Sequence, residues 1–237
     1  MTVDVKKLKS LCESKNIYLD ENAEKRFEIY YNLLVSWNEK MNLTAITDPE
    51  GVLIKHFYDS LLFFKAAQVK KGAQIIDVGT GAGFPGLVLK IARPDIKLTL
   101  LDGLNKRLTF LEAVLMETGL EAELVHMRAE EGGKDKKYRE RFDFATARAV
   151  KVMPVLCEYC LPFVKTGGNF IALKGATGKE ELEASKNALK LLGGKTESVI
   201  EENLPEGDKR ILINVKKISQ TSPKYPRDNA KIAKNPL

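Results

Sequence analysis

Two aspartates frame the part of the chain best equipped for chemistry. Asp77 closes an apolar run, two residues before Gly79, and Asp102 closes the next apolar run, 25 residues after Asp77. Between them residues 75–89 read IIDVGTGAGFPGLVL. Two glycine patterns are nested there: Gly79-x-Gly81-x-Gly83 and Gly81-x-Gly83-x-x-Gly86. The second fits the fingerprint of dinucleotide sites. Glycines between a strand and a helix let the backbone approach a ligand closely. A helix opening near Pro85 turns free N–H groups and its positive dipole end toward an anion. An acid placed like Asp102 accepts both hydroxyls of a ribose.

The glycines alone leave the ligand class open. A nicotinamide dinucleotide would put its pyrophosphate at the helix start. S-adenosylmethionine has no phosphate, and its methionine carboxylate would be the anion. Asp77 favours the second: a carboxylate is awkward beside pyrophosphate and useful beside a cationic amino group, directly or through water. Both acids also have a plainer reading, as a helix cap or turn former. Gly79, Gly81, Phe84, Gly103, Leu104 and Arg148 complete the expected cofactor edge around Asp77 and Asp102. At the end of a third apolar run, His126-Met-Arg-Ala-Glu-Glu131 places Ala129 and Glu130 beside the adenine, mainly through backbone groups. A fourth run ends in Ala147-Arg148-Ala149-Val150. Amino-nitrogen methyltransferases often carry an Asn/Asp-Pro-Pro-aromatic motif at that place, and this chain does not. Arg148 there would bind an anion, shape the pocket or cap carbonyls.

These residues need a scaffold, and its pattern is legible. Residues 4–15 and 19–40 have helical spacing, the second with Asp20 as its expected N-cap and Phe27, Tyr30, Tyr31, Leu34 and Trp37 on one face. Asp48-Pro49-Glu50 starts a further helix carrying Val52 to about Ala66. From Lys71 short apolar runs alternate with amphipathic stretches. Strands are expected at Gln74–Val78, Lys97–Asp102, Glu121–His126, Phe142–Ala147, Asn169–Lys174, Ser198–Glu202 and Ile211–Lys216. Helices are expected at 86–92, 105–118, 151–161 and 178–192. This alternation implies a doubly wound parallel sheet. The last two strands leave no room for a helix between them, so they form an antiparallel hairpin. The expected fold is therefore α/β and Rossmann-like: a seven-stranded sheet with an antiparallel last strand, plus N-terminal helices. That is the class I layout of S-adenosylmethionine-dependent methyltransferases. The expected divisions are an N-terminal helical region at 1–70, the methyltransferase domain at 71–218 and a basic tail at 219–237.

Composition narrows the setting. The 237 residues are 44% hydrophobic and 30% charged, with a formal net charge of +6, which favours a polyanionic partner. No apolar run is long enough for a membrane span, and the first residues lack a secretory core. Three cysteines suit a reduced, cytoplasmic protein. Cys157-Glu-Tyr-Cys160 lacks a second ligand pair, so it reads as structural and no metal is expected. The tail TSPKYPRDNAKIAKNPL is either a disordered solubilising end or an arm that touches phosphates.

The ordered set WNEKMNLTAIT (37–47), KHFYDSL (55–61), DVGTGAGFPG (77–86), LLDGLNKRLTFL (100–111), RAEE (128–131), ARAV (147–150) and ALKG (172–175) resembles the RsmG family, also called glucose-inhibited division protein B. The resemblance runs from about residue 8 to 218. Family members tend to carry Ser where Gly103 stands, and Gram-positive members continue KYPR with a Gly-Thr-Pro segment where this chain has DNAKIAKNPL. The resemblance implies methylation of guanine N7 in 16S ribosomal RNA, alone or within the small subunit or a precursor. S-adenosyl-L-methionine would be the donor and S-adenosyl-L-homocysteine the product. A methyltransferase for another RNA, a protein or a small molecule is the alternative. N7 offers a lone pair and no proton, so positioning should dominate and no general base is expected. His56, Arg148 and Lys174 are the pocket candidates, with His56 alternatively joining Asp59 in a structural network. Lys106, Arg107, Lys174, Lys224 and Arg227 are the candidate RNA contacts. Lys106 and Arg107 could equally be solvated helix charges. Trp37 and Asn42 read as packing and turn residues. A monomer without metal or membrane attachment is expected.

Overall fold

A computed structural model describes residues 2–148 and 151–237. Ala149 and Val150 of the ARAV stretch lie outside the described residues. The chain opens with α1 (Val5–Glu13) and α2 (Ala23–Met41). Asp4 caps α1 by accepting the Lys7 N–H. Asp20 does not cap α2: that helix starts three residues later, with Asn22 at the cap position. Asp20 instead accepts the Asn22 N–H and pairs with Arg26. Asn42 ends α2 in the left-handed conformation, φ 48°, a turn residue as its type suggests.

Asp48 accepts the Gly51 N–H and Pro49 takes the first helical position of α3 (Pro49–Gly51). The chain then runs through a π-helical stretch (Val52–Tyr58) into α4 (Asp59–Leu61) and α5 (Phe63–Ala66). The single helix expected here is thus interrupted. Such wide turns recur at functional sites, and this one carries His56.

The strands and helices of the second part alternate as their apolar runs require. They are β1 (Gln74–Val78), α6 (Gly86–Ala92), β2 (Lys97–Asp102), α7 (Asn105–Thr118), β3 (Glu123–His126), α8 (Ala129–Gly132), β4 (Phe142–Arg148), α9 (Met153–Cys160), β5 (Val164–Lys174), α10 (Gly178–Ala184), α11 (Lys186–Leu192), β6 (Gly194–Asn203) and β7 (Lys209–Lys217). The tail adds α12 (Asn229–Lys234). The short α8 fills the connection after the third strand that the sequence pattern left undefined. The helix expected at 178–192 is two, meeting at Ser185, whose hydroxyl donates to the Glu181 carbonyl.

The sheet order is β3-β2-β1-β4-β5-β7-β6. All neighbours are parallel except β7, which runs antiparallel to both β5 and β6. Alternate strand residues feed opposite faces. Ile75, Leu100, Phe144 and Ile171 join the core under α1, α2 and the π-helical stretch. Ile76, Leu101, Ala145 and Phe170 join the core under α9 and the tail. The N-terminal helices therefore share one core with the first sheet face. Phe57 sits between Phe27 and Tyr30, at centroid distances of 4.8 and 5.3 Å. Trp37 packs on Phe110 at 5.7 Å, the packing role expected of it. Cys12, Cys157 and Cys160 are free and buried. Burial pushes the Cys157 thiol up to about 12, so it is an inert core thiol.

Candidate functional site

The order reverses between β1 and β4, and ligands in open α/β sheets bind outside the strand ends at that switch point. A groove of about 620 Å³ lies there. Its floor is the end of β1, the glycine loop and the end of β2.

Gly81 has φ +61°, and a Cβ there would meet nothing within 4 Å, so its backbone faces open groove. Gly83 has φ +101°, and a Cβ would lie 2.6 Å from the Tyr30 hydroxyl. That hydroxyl donates to the Ala82 carbonyl, so α2 pins the loop from beneath.

Asp77 is fully buried below this loop and is not among the groove-lining residues. Its Oδ2 accepts the Thr80 hydroxyl at 2.7 Å and the Gly86 N–H at 2.8 Å. This is the capping role, and it corrects the expectation that α6 leaves its first N–H groups free for a ligand. Asp77 Oδ1 is buried with no hydrogen-bond partner among the described residues. Burial pushes the Asp77 carboxyl up to about 6, against the lowering effect of its two donors.

Asp102 is 2% exposed and lines the groove. Its Oδ2 accepts the Gly81 N–H at 2.9 Å and its Oδ1 the Leu104 N–H at 2.9 Å. Arg107 donates to Oδ2 at 3.2 Å. The acid thus ties both glycine-bearing loops together. A carboxylate has about four acceptor positions, so beside these three donors about one is left, and a second opens if Arg107 is displaced. Arg107 is drawn to this acid rather than standing as an isolated surface cation.

At one end the groove is walled by Leu43, Thr44, His56, Phe84 and Arg148. The His56 ring stacks on Phe84 at 4.4 Å, and the Arg148 guanidinium lies 4.9 Å from the same ring centroid. Thr44 Oγ1 and His56 Nε2 are 2.8 Å apart. Arg148 donates to the Lys55 carbonyl at 2.8 Å and to Asp59 Oδ2 at 3.0 Å, while Asp59 Oδ1 accepts from Arg210. Both readings of His56 therefore hold in part. It lines the groove, its carbonyl accepts the Asp59 N–H, and its ring is linked to the Asp59 carboxylate by Arg148, whose Nη2 lies 3.4 Å from His56 Nδ1. Arg148 does cap a carbonyl, but from the groove wall. Burial, with the Arg148 charge adding to it, pushes the His56 imidazole down to about 4. It is neutral at pH 7.

Ala129 and Glu130 line the opposite end with Arg128. Two further residues there come from the tail: Asn229 and Ala233. The tail is not disordered. Tyr225 and Ile232 are buried, and Arg227 forms a fork with Glu158, Nε–Oε1 2.9 Å and Nη2–Oε2 2.7 Å. Arg227 is thus a clamp on a buried acid, not an exposed RNA contact. Lys174 is also spoken for. Its Nζ lies 2.7 Å from Glu181 and donates to the Lys151 carbonyl, and Lys174 does not line the groove. Lys106 is exposed next to the groove wall, and Lys224 is exposed with its Nζ 5.3 Å from the Tyr225 ring.

Sequence reasoning missed Thr44, Lys151, Tyr159, Asn229 and Ala233. One signal was present. Glu158 sits inside an otherwise apolar helix, MPVLCEYC, and a buried acid demands a cation from elsewhere in the chain. Among the described residues no group of three or more His, Cys, Asp or Glu could hold a metal, and no helix is long and apolar enough to cross a membrane.

Comparison with known proteins agrees with this geometry. Two solved structures share the fold at low sequence identity. A 16S rRNA (adenine(1408)-N(1))-methyltransferase variant from Catenulisporales acidiphilia superimposes with TM-score 0.54 at 16% identity, over 71% of this chain and 93% of the other. A SAM-dependent O-methyltransferase from Thermotoga maritima gives 0.50 at 19% identity, over 80% and 72%. Curated relatives are much nearer. The ribosomal RNA small subunit methyltransferase G of Alkaliphilus metalliredigens is 49% identical over 97% of both chains. The protein of the same name from Acetivibrio thermocellus is 52% identical over 93% of this chain and 91% of its own. The GidB model, described as rRNA small subunit methyltransferase G, matches residues 23–211, which takes in the π-helical stretch, the glycine loop and both aspartates. With that match spanning most of the sheet and the groove it builds, the chain belongs to the rRNA small subunit methyltransferase G family.

Proposed function

We propose that this protein transfers a methyl group from S-adenosylmethionine to N7 of a guanine in 16S ribosomal RNA. The observation that carries the reading is the groove itself. It joins a glycine-loop and ribose-acid floor to a separate aromatic and guanidinium compartment at the strand ends.

The residues fit the cofactor. Gly81 opens its backbone to the groove, and Asp102 keeps acceptor capacity for ribose hydroxyls. The unpartnered Asp77 Oδ1 is a demand that a water bridging to a cationic amino group in the groove would satisfy. Gly79, Gly103 and Leu104 flank these groups, and Ala129 and Glu130 bound the far end. When bound, the sulfonium supplies an electrophilic methyl group. The rest falls to the chain. His56, Phe84 and Arg148 offer a flat face and a positive charge, which suit a guanine ring and its O6 acceptor and leave the N7 lone pair free for the methyl group. His56 is neutral, so it does not repel the sulfonium and is poorly suited to donate a proton at pH 7. Because N7 has no proton to lose, catalysis here is placement, with no residue acting as base.

Lys151 lines the groove, Lys106 adjoins the lining residue Arg107, and both are exposed to meet phosphates, as is Lys224 on the tail. Arg107 joins them if the RNA draws it from Asp102. Arg227 and Lys174 contribute through the fold rather than by contact. A cytoplasmic, monomeric enzyme completes this reading. The test is methyl transfer from labelled S-adenosylmethionine to isolated 16S RNA and to small subunits, followed by mapping of the modified base. Transfer to one guanine N7 is expected. Transfer to neither substrate, with tight binding of NAD, overturns the reading.

A further inference from the structure

The family match ends at residue 211, yet the chain continues past β7 and returns to the groove. The return path is fastened at every step. The Thr221 N–H donates to Glu140 Oε1 at 2.8 Å, and its hydroxyl donates to the Leu192 carbonyl at 2.7 Å. Arg139 donates to the Thr221 carbonyl at 2.6 Å and to the Tyr225 carbonyl at 2.8 Å. Lys217, 1% exposed, donates to the Leu161 carbonyl and to Thr221 Oγ1. Pro226 packs on Gly133, where an added Cβ would lie 2.9 Å from its Cγ. Arg227 then closes its fork on fully buried Glu158. With those anchors set, α12 lies along α9. The Tyr159 hydroxyl reaches Asn229 Oδ1 at 2.6 Å. Asn229 and Ala233 are one turn apart, so they share a helix face, and that face lines the groove beside Arg128, Ala129 and Glu130.

We propose that the tail, residues 221–237, is a built-in wall of the cofactor groove, and that Asn229 and Ala233 on α12 contact the adenosyl end of the cofactor and help set its affinity. This rests on the reading of the groove as an S-adenosylmethionine site. Asn229 is suited to the task. With Tyr159 donating to its Oδ1, the amide nitrogen keeps two hydrogens for a ring nitrogen of the base. Ala233 presents only a methyl group, which leaves room for a flat ring. The buried Arg227–Glu158 fork holds the helix in place without occupying the groove.

The experiment measures equilibrium binding of S-adenosylhomocysteine and of 5′-methylthioadenosine, which keeps the adenosyl end and lacks the amino acid. The full chain is compared with Asn229→Ala, Ala233→Trp, Lys234→Ala and a chain ending at residue 220. Asn229, Ala233 and Lys234 are exposed, so these substitutions leave the core intact, and thermal unfolding verifies it. Asn229→Ala weakens both ligands about three- to tenfold, as expected for one lost hydrogen bond. Ala233→Trp weakens both by more than about tenfold by filling the groove. Lys234→Ala binds as the parent does. The shortened chain, if it folds, loses at least as much as Asn229→Ala; if it does not fold, the point variants carry the test. Parent-like binding by folded Asn229→Ala and Ala233→Trp overturns the proposal while leaving the cofactor assignment intact. Failure of the full chain to bind either ligand overturns both.

Discussion

The two ends of the groove are built in opposite ways. At the glycine loop most partners are near in sequence: Asp77 holds Thr80 three residues away and Gly86 nine residues away, Asp102 holds Leu104 two residues away and Gly81 21 residues away, and only the Tyr30–Ala82 contact among these spans as many as 52. At the tail the partners are far apart: Glu158 and Arg227 are separated by 69 residues and Tyr159 and Asn229 by 70. The loop is a short network of backbone N–H groups folded around two carboxylates. The tail is a wall fastened by one buried ion pair and a set of carbonyls. A local network survives changes elsewhere, because loop closure over a few residues costs little. A wall closed over seventy residues depends on its clamp. Sequence motifs therefore report the first end and are blind to the second.

The largest effect should come from opening that clamp. Arg227→Ala leaves Glu158 buried without its partner, and urea denaturation should show a loss of about 3 kcal/mol, the scale for breaking a buried pair. A loss of only a few tenths would mean that the tail is held by its apolar contacts and that the contrast drawn here is wrong.

The loop end should respond in affinity rather than stability. Asp102→Ala should weaken S-adenosylhomocysteine binding by about 1–3 kcal/mol in calorimetry, as lost hydrogen bonds to a charged acceptor. An unchanged affinity would mean that the ribose is held by other groups.

Asp77→Asn separates capping from charge. The amide oxygen can still accept from Thr80 and Gly86, while the buried charge is gone. Asp77 titrates at about 6 in the folded protein against an ordinary value of 3.8. The unfolded chain therefore loses its proton first as pH rises, and Asp77 progressively destabilises the fold between those values. The variant should equal its parent near pH 4 and exceed it by about 3 kcal/mol above pH 6, while binding the cofactor more weakly. Unchanged cofactor affinity would reduce Asp77 to a helix cap.

His56 supplies the opposite slope. Its imidazole titrates at about 4 instead of 6.5, so the unfolded chain binds the proton first on acidification. Its contribution to stability is complete above pH 6.5 and is lost as pH falls toward 4. NMR of the imidazole should show it neutral at pH 5. A smaller effect is expected at the rim. Lys106→Ala should lower the salt dependence of RNA binding by about one unit of slope without changing cofactor affinity.

Much of this was legible in the chain. The bounds of β1, β2, α6 and α7 follow directly from apolar runs and turn residues, and so does the hairpin that places β7 antiparallel. The misreadings have local causes. β5 begins at Val164 rather than Asn169, because Lys165-Thr-Gly-Gly168 looks like a loop but is an irregularity within the strand, between the pairs Val164–Phe142 and Asn169–Phe144. The helix carrying His56 is interrupted by a π-helical stretch that its continuous periodicity conceals.

The sequence by itself determined the fold class, the glycine loop and the place of Asp102 at the end of β2, because each depends on residues within one or two adjoining elements. Only the tertiary structure decided what the cations do. Lys174 and Arg227 looked available for phosphates, but Glu181 and Glu158 hold them. Lys106, next to Arg107 in the chain, stays exposed, while Arg107 reaches back to Asp102. The physical reason is simple. A charged side chain takes its role from the carboxylate within about 4 Å of it, and composition alone does not reveal which distant acid the fold brings there.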